Sequence, residues 1–159
     1  MKRKVNPMAN KTSLGRYRNA ELISEYWSEN GQRCEVWPLL PERDRVDVER
    51  LRKTNTKRSL ELHHILGDQH YKVDNWSNVI IICPVIHRTW GHSKNPVELR
   101  VVCLYAKFRK AEFDVQELNV AGQKPTIYNE LQRLKWKLSH RPEYVEMCNE
   151  MLATLPAPV

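Results

Sequence analysis

No stretch of this sequence is long and apolar enough to span a bilayer. No apolar segment follows the basic opening residues MKRKVNPMANK, so they lack the pattern of a secretory signal. Internal repeats and low-complexity tracts are absent as well. We therefore expect a soluble, cytoplasmic protein with no membrane partner, whose 159 residues can build one domain with its own core.

Cysteine is scarce and is never paired at short spacing. The four cysteines are Cys34, Cys83, Cys103 and Cys148, and none of them belongs to a C-x-x-C pair. A four-thiolate zinc site normally uses such pairs, and a disulfide framework normally belongs to a secreted protein. We expect neither, and we predict free thiols that are buried or half-buried.

Acidic residues are outnumbered by basic ones. The chain has 26 lysines and arginines against 19 acidic residues, a net charge of +7 and a pI of about 9.3. Basic proteins gain affinity for polyanions because their cations displace the counterions condensed on phosphates. Many basic proteins bind no nucleic acid, so the charge permits a DNA partner without identifying one.

The spacing of apolar residues predicts an α+β chain that is mostly helical. A basic N-terminal arm at 1–18 precedes a single domain at 19–159, with a core at 59–95 and a helical part at 96–155. The predicted elements are helices at 19–31 and 42–58, strands at 59–65 and 78–82, a helix from Pro84, and further helices at 95–118, 126–140 and 141–155. The helix at 42–58 is rich in charge, so we expect it to be mostly solvated.

Two adjacent histidines stand out in LELHHILG, at 60–67. His63 and His64 lie on the first predicted strand, Asn78 opens the second, and His87 lies in the first turns of the helix that follows. Adjacent strand residues point to opposite sides, so one imidazole can face a metal ion and the other a water molecule. Hydrolysis of a phosphodiester needs both a base that activates water and a Lewis acid.

The stretch ELHHI, followed by NVIIICPVIH, resembles the motif of the HNH endonucleases, which have the ββα-metal fold. ELHH is especially similar to the DNase domains of bacterial colicins. The resemblance covers about residues 60–92 and extends more loosely back to Cys34. It implies a two-stranded antiparallel hairpin plus a helix, embedded in flanking helices, and an endonuclease that hydrolyses DNA phosphodiester bonds with one divalent metal ion, by nicking or by cutting both strands.

The resemblance also implies a role for each residue of the motif. His63 takes the position of the first metal ligand, and His64 that of the general base. Asn78 matches the central asparagine, which pins the loop and orients the base, and His87 matches the metal ligand on the helix. Glu61 matches a carboxylate that orients either a ligand or an arginine.

Alternatives remain for each residue taken alone. A single histidine is more often a packing or surface residue than a ligand, and only the combination of the motif residues favours a site. Asn75 competes with Asn78 for the position of the central asparagine, and either can be a turn residue. Asn78 is preferred because the aliphatic strand follows it directly.

The third metal ligand departs from the colicin-like pattern, which places it four residues after the helix histidine. Here that position is Gly91, and the next histidine is His92. Five residues of regular helix turn through about 140°, onto the wrong side. Gly91 would have to end the helix in a left-handed conformation so that His92 folds back. Otherwise water or the Asn78 side chain completes the shell.

Many members of the family bind a structural zinc through C-x-x-C pairs, and here each pair lacks one thiol. Trp37 and Ile86 stand where the partners of Cys34 and Cys83 would be. We expect these two apolar side chains to pack in place of the zinc. One divalent ion per chain is then predicted, with Mg²⁺, Mn²⁺, Zn²⁺, Ni²⁺ and Co²⁺ left open.

DNA is the partner that the resemblance implies, and Arg58, Arg88 and Lys94 are the predicted contacts to its backbone. The alternative is a nucleic-acid-binding module of this fold that has lost catalysis. A third class, a metal-dependent regulatory or assembly protein, would need no nucleic acid. A double-strand cut needs two active sites or two sequential nicks, so the sequence leaves a homodimer open.

Overall fold

The structure is a computed structural model that describes residues 10–11, 17–55, 57–67, 72–122 and 126–156. Within the predicted basic arm, β1 (Asn10–Lys11) pairs antiparallel with β2 (Tyr17–Arg18). The remainder of that arm lies outside the described residues. Among the helices that are described, none combines the length and apolarity that crossing a membrane requires.

Helix α1 (Ala20–Asn30) agrees with its predicted range. The side chain of Asn19 accepts a hydrogen bond from the amide of Leu22, and Gly31 follows the last turn, which is why the helix begins and ends there. Leu22 and Tyr26 form the buried face of the helix. The apolar contacts of this face are with the central hairpin.

The central hairpin consists of β3 (Glu61–His64) and β4 (Val79–Ile82), paired antiparallel with His63 opposite Ile80 and His64 opposite Val79. All four residues of β4 are fully buried, because its two faces contact two different apolar clusters. Val79 and Ile81 pack toward α1, whereas Ile80 and Ile82 face the main core. A strand buried on both faces explains the uninterrupted aliphatic run VIII.

The main core is built by a π-helix (Val85–His92) and the helices α3 (Pro96–Arg109), α4 (Val115–Gly122), α5 (Ile127–Lys137) and α6 (Pro142–Leu152). The predicted fold class, α+β and mostly helical with one central antiparallel hairpin, is confirmed. The predicted continuous helix at 95–118 is wrong, because the chain leaves the helix after Arg109. Ala111 has a φ of 58°, and the amide of Glu112 donates to the carbonyl of Lys107 at 2.9 Å. This is a Schellman ending, here with alanine in the left-handed position.

Helix α2 (Glu42–Arg52) is less solvated than predicted. Asp44 is only 2% exposed, and its carboxylate accepts hydrogen bonds from Arg141 at 2.7 Å and Tyr144 at 2.8 Å. A buried carboxylate is tolerated only when such partners replace water. This ion pair ties α2 to the start of α6, a contact across 97 residues of sequence.

Candidate metal centre

Three histidines converge beside the hairpin. The rings of His63, His87 and His92 lie 4.8–5.2 Å apart between centroids, and their ligand nitrogens all lie within 4.8 Å of one another. His63 is buried, His87 is half-buried and His92 is exposed, so the group is anchored on one side and open on the other. Three imidazoles with an open side form a donor set that suits a divalent ion of the zinc type. The cluster can therefore hold a metal ion.

The π-helix explains how His87 and His92 share a face. Hydrogen bonds in a π-helix join residues five apart, so residues at i and i+5 lie above one another, unlike those of an α-helix. The expectation that Gly91 ends the helix in a left-handed conformation is wrong, since the helix continues through it, and among the described residues the glycine with a positive φ is Gly67. Gly91 is needed for space instead. A Cβ there would lie 2.5 Å from the carbonyl oxygen of Ile86 and 2.6 Å from Leu99 Cδ2.

Glu61 fixes one of the three imidazoles from behind. Its carboxylate lies 3.0 Å from Nδ1 of His87, which leaves Nε2 of that ring for a ligand. The same carboxylate accepts from Arg88 at 2.8 Å and Lys57 at 3.0 Å. Partial burial raises the pKa of Glu61, but the hydrogen bonds from Arg88, Lys57 and His87 outweigh it and lower that pKa to about 2. Glu61 is thus ionised throughout the physiological range.

The three imidazoles are held in the form that binds metals. Burial lowers the pKa of His63 well below its usual value, and the neighbouring His87 and His92 lower it further. Burial also lowers the pKa values of His87 and His92, although Glu61 partly opposes the shift at His87. Neutral rings at neutral pH carry a free lone pair, which a metal ion requires.

His64, the predicted general base, contacts a carboxylate that the sequence reasoning missed. Its Nε2 lies 2.7 Å from Oδ1 of Asp74, which is only 2% exposed. Oδ2 of Asp74 accepts a hydrogen bond from the backbone amide of Asn19 at 2.7 Å, so the start of α1 holds the carboxylate in place. A His–Asp pair of this kind fixes the tautomer and stabilises the protonated ring. The available signal was an acidic residue just before Asn78, in VDNWSN.

Asn78 is fully buried and pins the loop between the two strands. Its side-chain oxygen accepts from the amide of Leu66 at 2.7 Å, and its nitrogen donates to the carbonyls of Leu66 at 3.2 Å and Val73 at 3.0 Å. These bonds commit the amide to backbone groups, so it does not supply the third ligand. Asp74 contacts the His64 side chain. Asn78 influences His64 indirectly, by holding the backbone of the loop in place. Asn75 caps the turn, because its Oδ1 accepts from the amide of Asn78 at 2.9 Å.

The three predicted DNA contacts lie on the surface. Arg88 is 63% exposed and paired with Glu61. Lys94 is exposed just after the π-helix, and Arg58 is exposed and donates to the carbonyls of Asn55 and Lys57. All three are thus available to a large anionic ligand.

Cys34 and Cys83 lie together at the end of the hairpin. The amide of Cys83 donates to Sγ of Cys34 at 3.3 Å. A hydrogen bond from Cys34 lowers the pKa of Cys83 to about 6, and Arg52 favours the thiolate as well. Ile86 is fully buried and Trp37 packs at the edge of the same main core, beneath the Arg52 guanidinium at 5.4 Å.

A pocket of about 240 Å³ opens beside the three-histidine cluster, with His63, His64 and His92 among its lining residues. A ligand that enters it would therefore contact residues of both the three-histidine cluster and the His64–Asp74 pair. Comparison of the chain with family models, with curated proteins and with solved structures gave no match.

Proposed function

We propose that the protein is an HNH-type endonuclease that hydrolyses DNA phosphodiester bonds with a single divalent metal ion. The observation that carries the proposal is the placement of two kinds of histidine on one strand. His63 belongs to the three-histidine cluster, whereas its neighbour His64 is paired with the buried Asp74. The resemblance of ELHH and NVIIICPVIH to the HNH motif supports the same chemistry.

His63, His87 and His92 are the residues that would hold the ion, with Glu61 orienting His87. When bound, a divalent ion supplies Lewis-acid stabilisation of the negative charge that develops on the phosphate oxygens. Glu61 is a positioning residue in this scheme, because it acts on the site through the ring that it holds.

His64 acts as the general base. Asp74 occupies Nε2, so Nδ1 is the nitrogen left to accept a proton from the attacking water. The water oxygen forms a bond to phosphorus while the bond from phosphorus to the leaving 3′ oxygen breaks. The carboxylate of Asp74 stabilises the imidazolium that results, as the buried aspartate does in other His–Asp pairs.

A plasmid assay with three histidine variants tests the proposal. Chelated protein is incubated with supercoiled DNA and one divalent ion at a time, and nicked or linear product is expected with at least one ion. His64→Ala should keep metal and DNA binding and lose on the order of 10²–10⁴-fold in rate. His63→Ala should weaken metal binding itself, and added metal should restore part of the activity.

His140→Ala is the matched control, because His140 is an exposed loop histidine near the start of α6. It should cut like the wild type. A gel shift without cutting under any ion would overturn the proposal in favour of a binding module. Full activity of His64→Ala, or wild-type metal affinity of His63→Ala, would show that the roles of the two residues are wrongly assigned.

A further inference from the structure

Part of the wall of the pocket beside the three-histidine cluster comes from the C-terminal helices. Besides His63 and His92, the pocket is lined by Arg100 of α3 and Arg133 of α5, which form this part of the wall. A neighbouring pocket of about 230 Å³ shares Gly67 and both arginines as lining residues. Two guanidinium groups therefore face the space that adjoins the cluster.

Glu130 holds both arginines in place. Glu130 is only 5% exposed. Its carboxylate accepts hydrogen bonds from Arg100 at 2.6 Å and from two nitrogens of Arg133 at 2.6 and 2.7 Å. A guanidinium has five N–H donors, of which Glu130 engages one on Arg100 and two on Arg133. The side chains remain 30% and 41% exposed, so both stay partly open to solvent while Glu130 fixes their orientation.

The charge of this wall points to an anionic ligand. Two arginines and one glutamate leave a net positive charge beside a cluster that can itself hold a cation. Like charges at close range oppose one another, so the arrangement costs free energy unless an anion contacts both. Oriented guanidinium groups match the non-bridging oxygens of a phosphate particularly well.

We propose that Arg100 and Arg133 bind a backbone phosphate of the substrate strand next to the phosphate that is cleaved. The inference rests on the proposed nuclease function and adds the C-terminal helices to its substrate site. The histidines of the pocket take the reacting phosphate, and its arginines take a neighbouring phosphate of the same strand. Both arginines are positioning residues for the nucleic acid, with no part in proton transfer.

Binding without metal gives the first test. With a chelator present, the affinity of a short duplex is measured over a range of salt for the wild type, Arg133→Gln and Arg133→Lys. Loss of one phosphate contact should weaken binding roughly tenfold or more, and should lower the slope of log affinity against log salt by about 0.9. Arg133→Lys should show the wild-type slope but only part of the wild-type affinity. Lysine keeps the positive charge but cannot form the two parallel hydrogen bonds that a guanidinium makes to a phosphate.

Arg109→Gln is the matched control, since Arg109 is an exposed arginine at the far end of α3. It should leave this affinity and slope close to wild type. Arg100→Gln should resemble Arg133→Gln. Thermal unfolding and metal titration of each variant show whether it is folded, and Arg100→Lys replaces Arg100→Gln if the latter is not.

Cleavage mapping gives the second test. A set of duplexes, each with one phosphate replaced by a neutral methylphosphonate, is cut with metal, and the product ends are mapped. In the wild type, the neutral linkage should suppress cleavage at a neighbouring bond, relative to the unmodified duplex. In Arg133→Gln, the neutral linkage should cause no suppression at that neighbouring bond, because the phosphate contact is already lost. If the wild type cuts but suppression occurs only at the neutral linkage itself, or the arginine variants match Arg109→Gln, the inference is wrong. If the wild type cuts nothing with any ion, the proposed function fails instead, and the binding test still reports on the arginines.

Discussion

At the scale of single residues, the two adjacent histidines differ in the side chains that contact their rings. His63 is buried among the other two rings of the cluster, whereas His64 is backed by Asp74 across the hairpin loop. Neighbours on a strand point to opposite sides, so one peptide unit separates the three-histidine cluster from the pair formed by His64 and Asp74. The same two imidazoles therefore have different chemistry because their partners differ.

Asp74→Asn tests this division at the residue scale. Asparagine can still accept from the amide of Asn19, but a neutral amide stabilises the protonated His64 ring poorly. We expect turnover on plasmid DNA to fall on the order of 10²–10⁴-fold while calorimetric metal affinity stays close to wild type. Asp47→Asn, at a more exposed carboxylate on α2, serves as the control. A loss of metal affinity in Asp74→Asn would show that Asp74 supports the cluster rather than the base.

At the scale of elements, the π-helix decides whether the cluster exists. A regular α-helix would put His92 roughly 140° away from His87. The wider winding brings their ring centroids to 4.9 Å. The close approach of Gly91 to the Ile86 carbonyl and to Leu99 of α3 permits this winding, since any side chain at position 91 would collide with both.

Gly91→Ala should therefore disturb both packing and metal binding. Its Cβ would lie 2.5 Å from backbone and 2.6 Å from Leu99, so α3 or the π-helix must shift. We expect a loss of about 1–3 kcal/mol in the free energy of unfolding and a weaker metal affinity. Gly122→Ala on α4 is the matched control, because its Cβ would meet Leu66 at an ordinary 3.7 Å. Unchanged metal affinity in a folded Gly91→Ala would show that the helix winding is not required.

The end of the hairpin gives a second prediction at the element scale. Cys34 and Cys83 are adjacent, but the residues three positions after them, Trp37 and Ile86, pack in the main core and offer no thiol. Reduced protein should therefore contain one metal ion per chain by elemental analysis, and Cys34→Ser with Cys83→Ser should leave that content unchanged. A second ion per chain that disappears in the double variant would establish a thiolate site.

At the scale of the whole molecule, buried polar groups join the hairpin to the helices around it. Nζ of Lys107 on α3, fully buried, donates to the hydroxyl of Tyr26 on α1 at 2.7 Å, and that hydroxyl donates to Glu35 at 2.6 Å. Glu35 also accepts from the amide of Ile81 in β4 at 2.7 Å. The network links α1, the hairpin and α3, so the strand that carries the histidines is tied to the C-terminal helices.

This network predicts a pH dependence of stability. Burial lowers the pKa of Lys107 from its usual 10.5 to about 8, although Glu112 and Glu35 oppose the shift. Between these pH values the unfolded chain binds more protons than the folded one, so stability should rise with pH. From about pH 7.5 to 9.5 Lys107 should contribute a gain of about 1–2 kcal/mol, measured by urea unfolding as the difference between the wild type and Lys107→Met. The difference isolates Lys107, because the Cys83 thiol, whose pKa is lowered to about 6, also contributes a pH dependence in this range. Parallel pH profiles of the two proteins would contradict this role of Lys107. Above about pH 10 Tyr26 reverses the trend, since its pKa is raised by burial.

The local pattern of the sequence was sufficient for several of the elements. The amphipathic stripe and the Asn19 cap predict α1, and the two apolar strands with an asparagine between them predict the hairpin. These features depend on neighbours within a few residues, where periodicity and capping act. The charge of the chain and the motif residues around His63 and His64 were equally readable, because they need no knowledge of distant contacts.

Only the tertiary structure decided how the site is completed. The winding that aligns His92 with His87 depends on the contact between Gly91 and Leu99, and the burial of Asp44 depends on Arg141 far along the chain. The pairing of His64 with Asp74, and the arginine wall of the pocket, likewise require folded loops and helices to meet. Local periodicity carries no information about these long-range contacts, because they are set by how the elements pack rather than by the order of residues within each one.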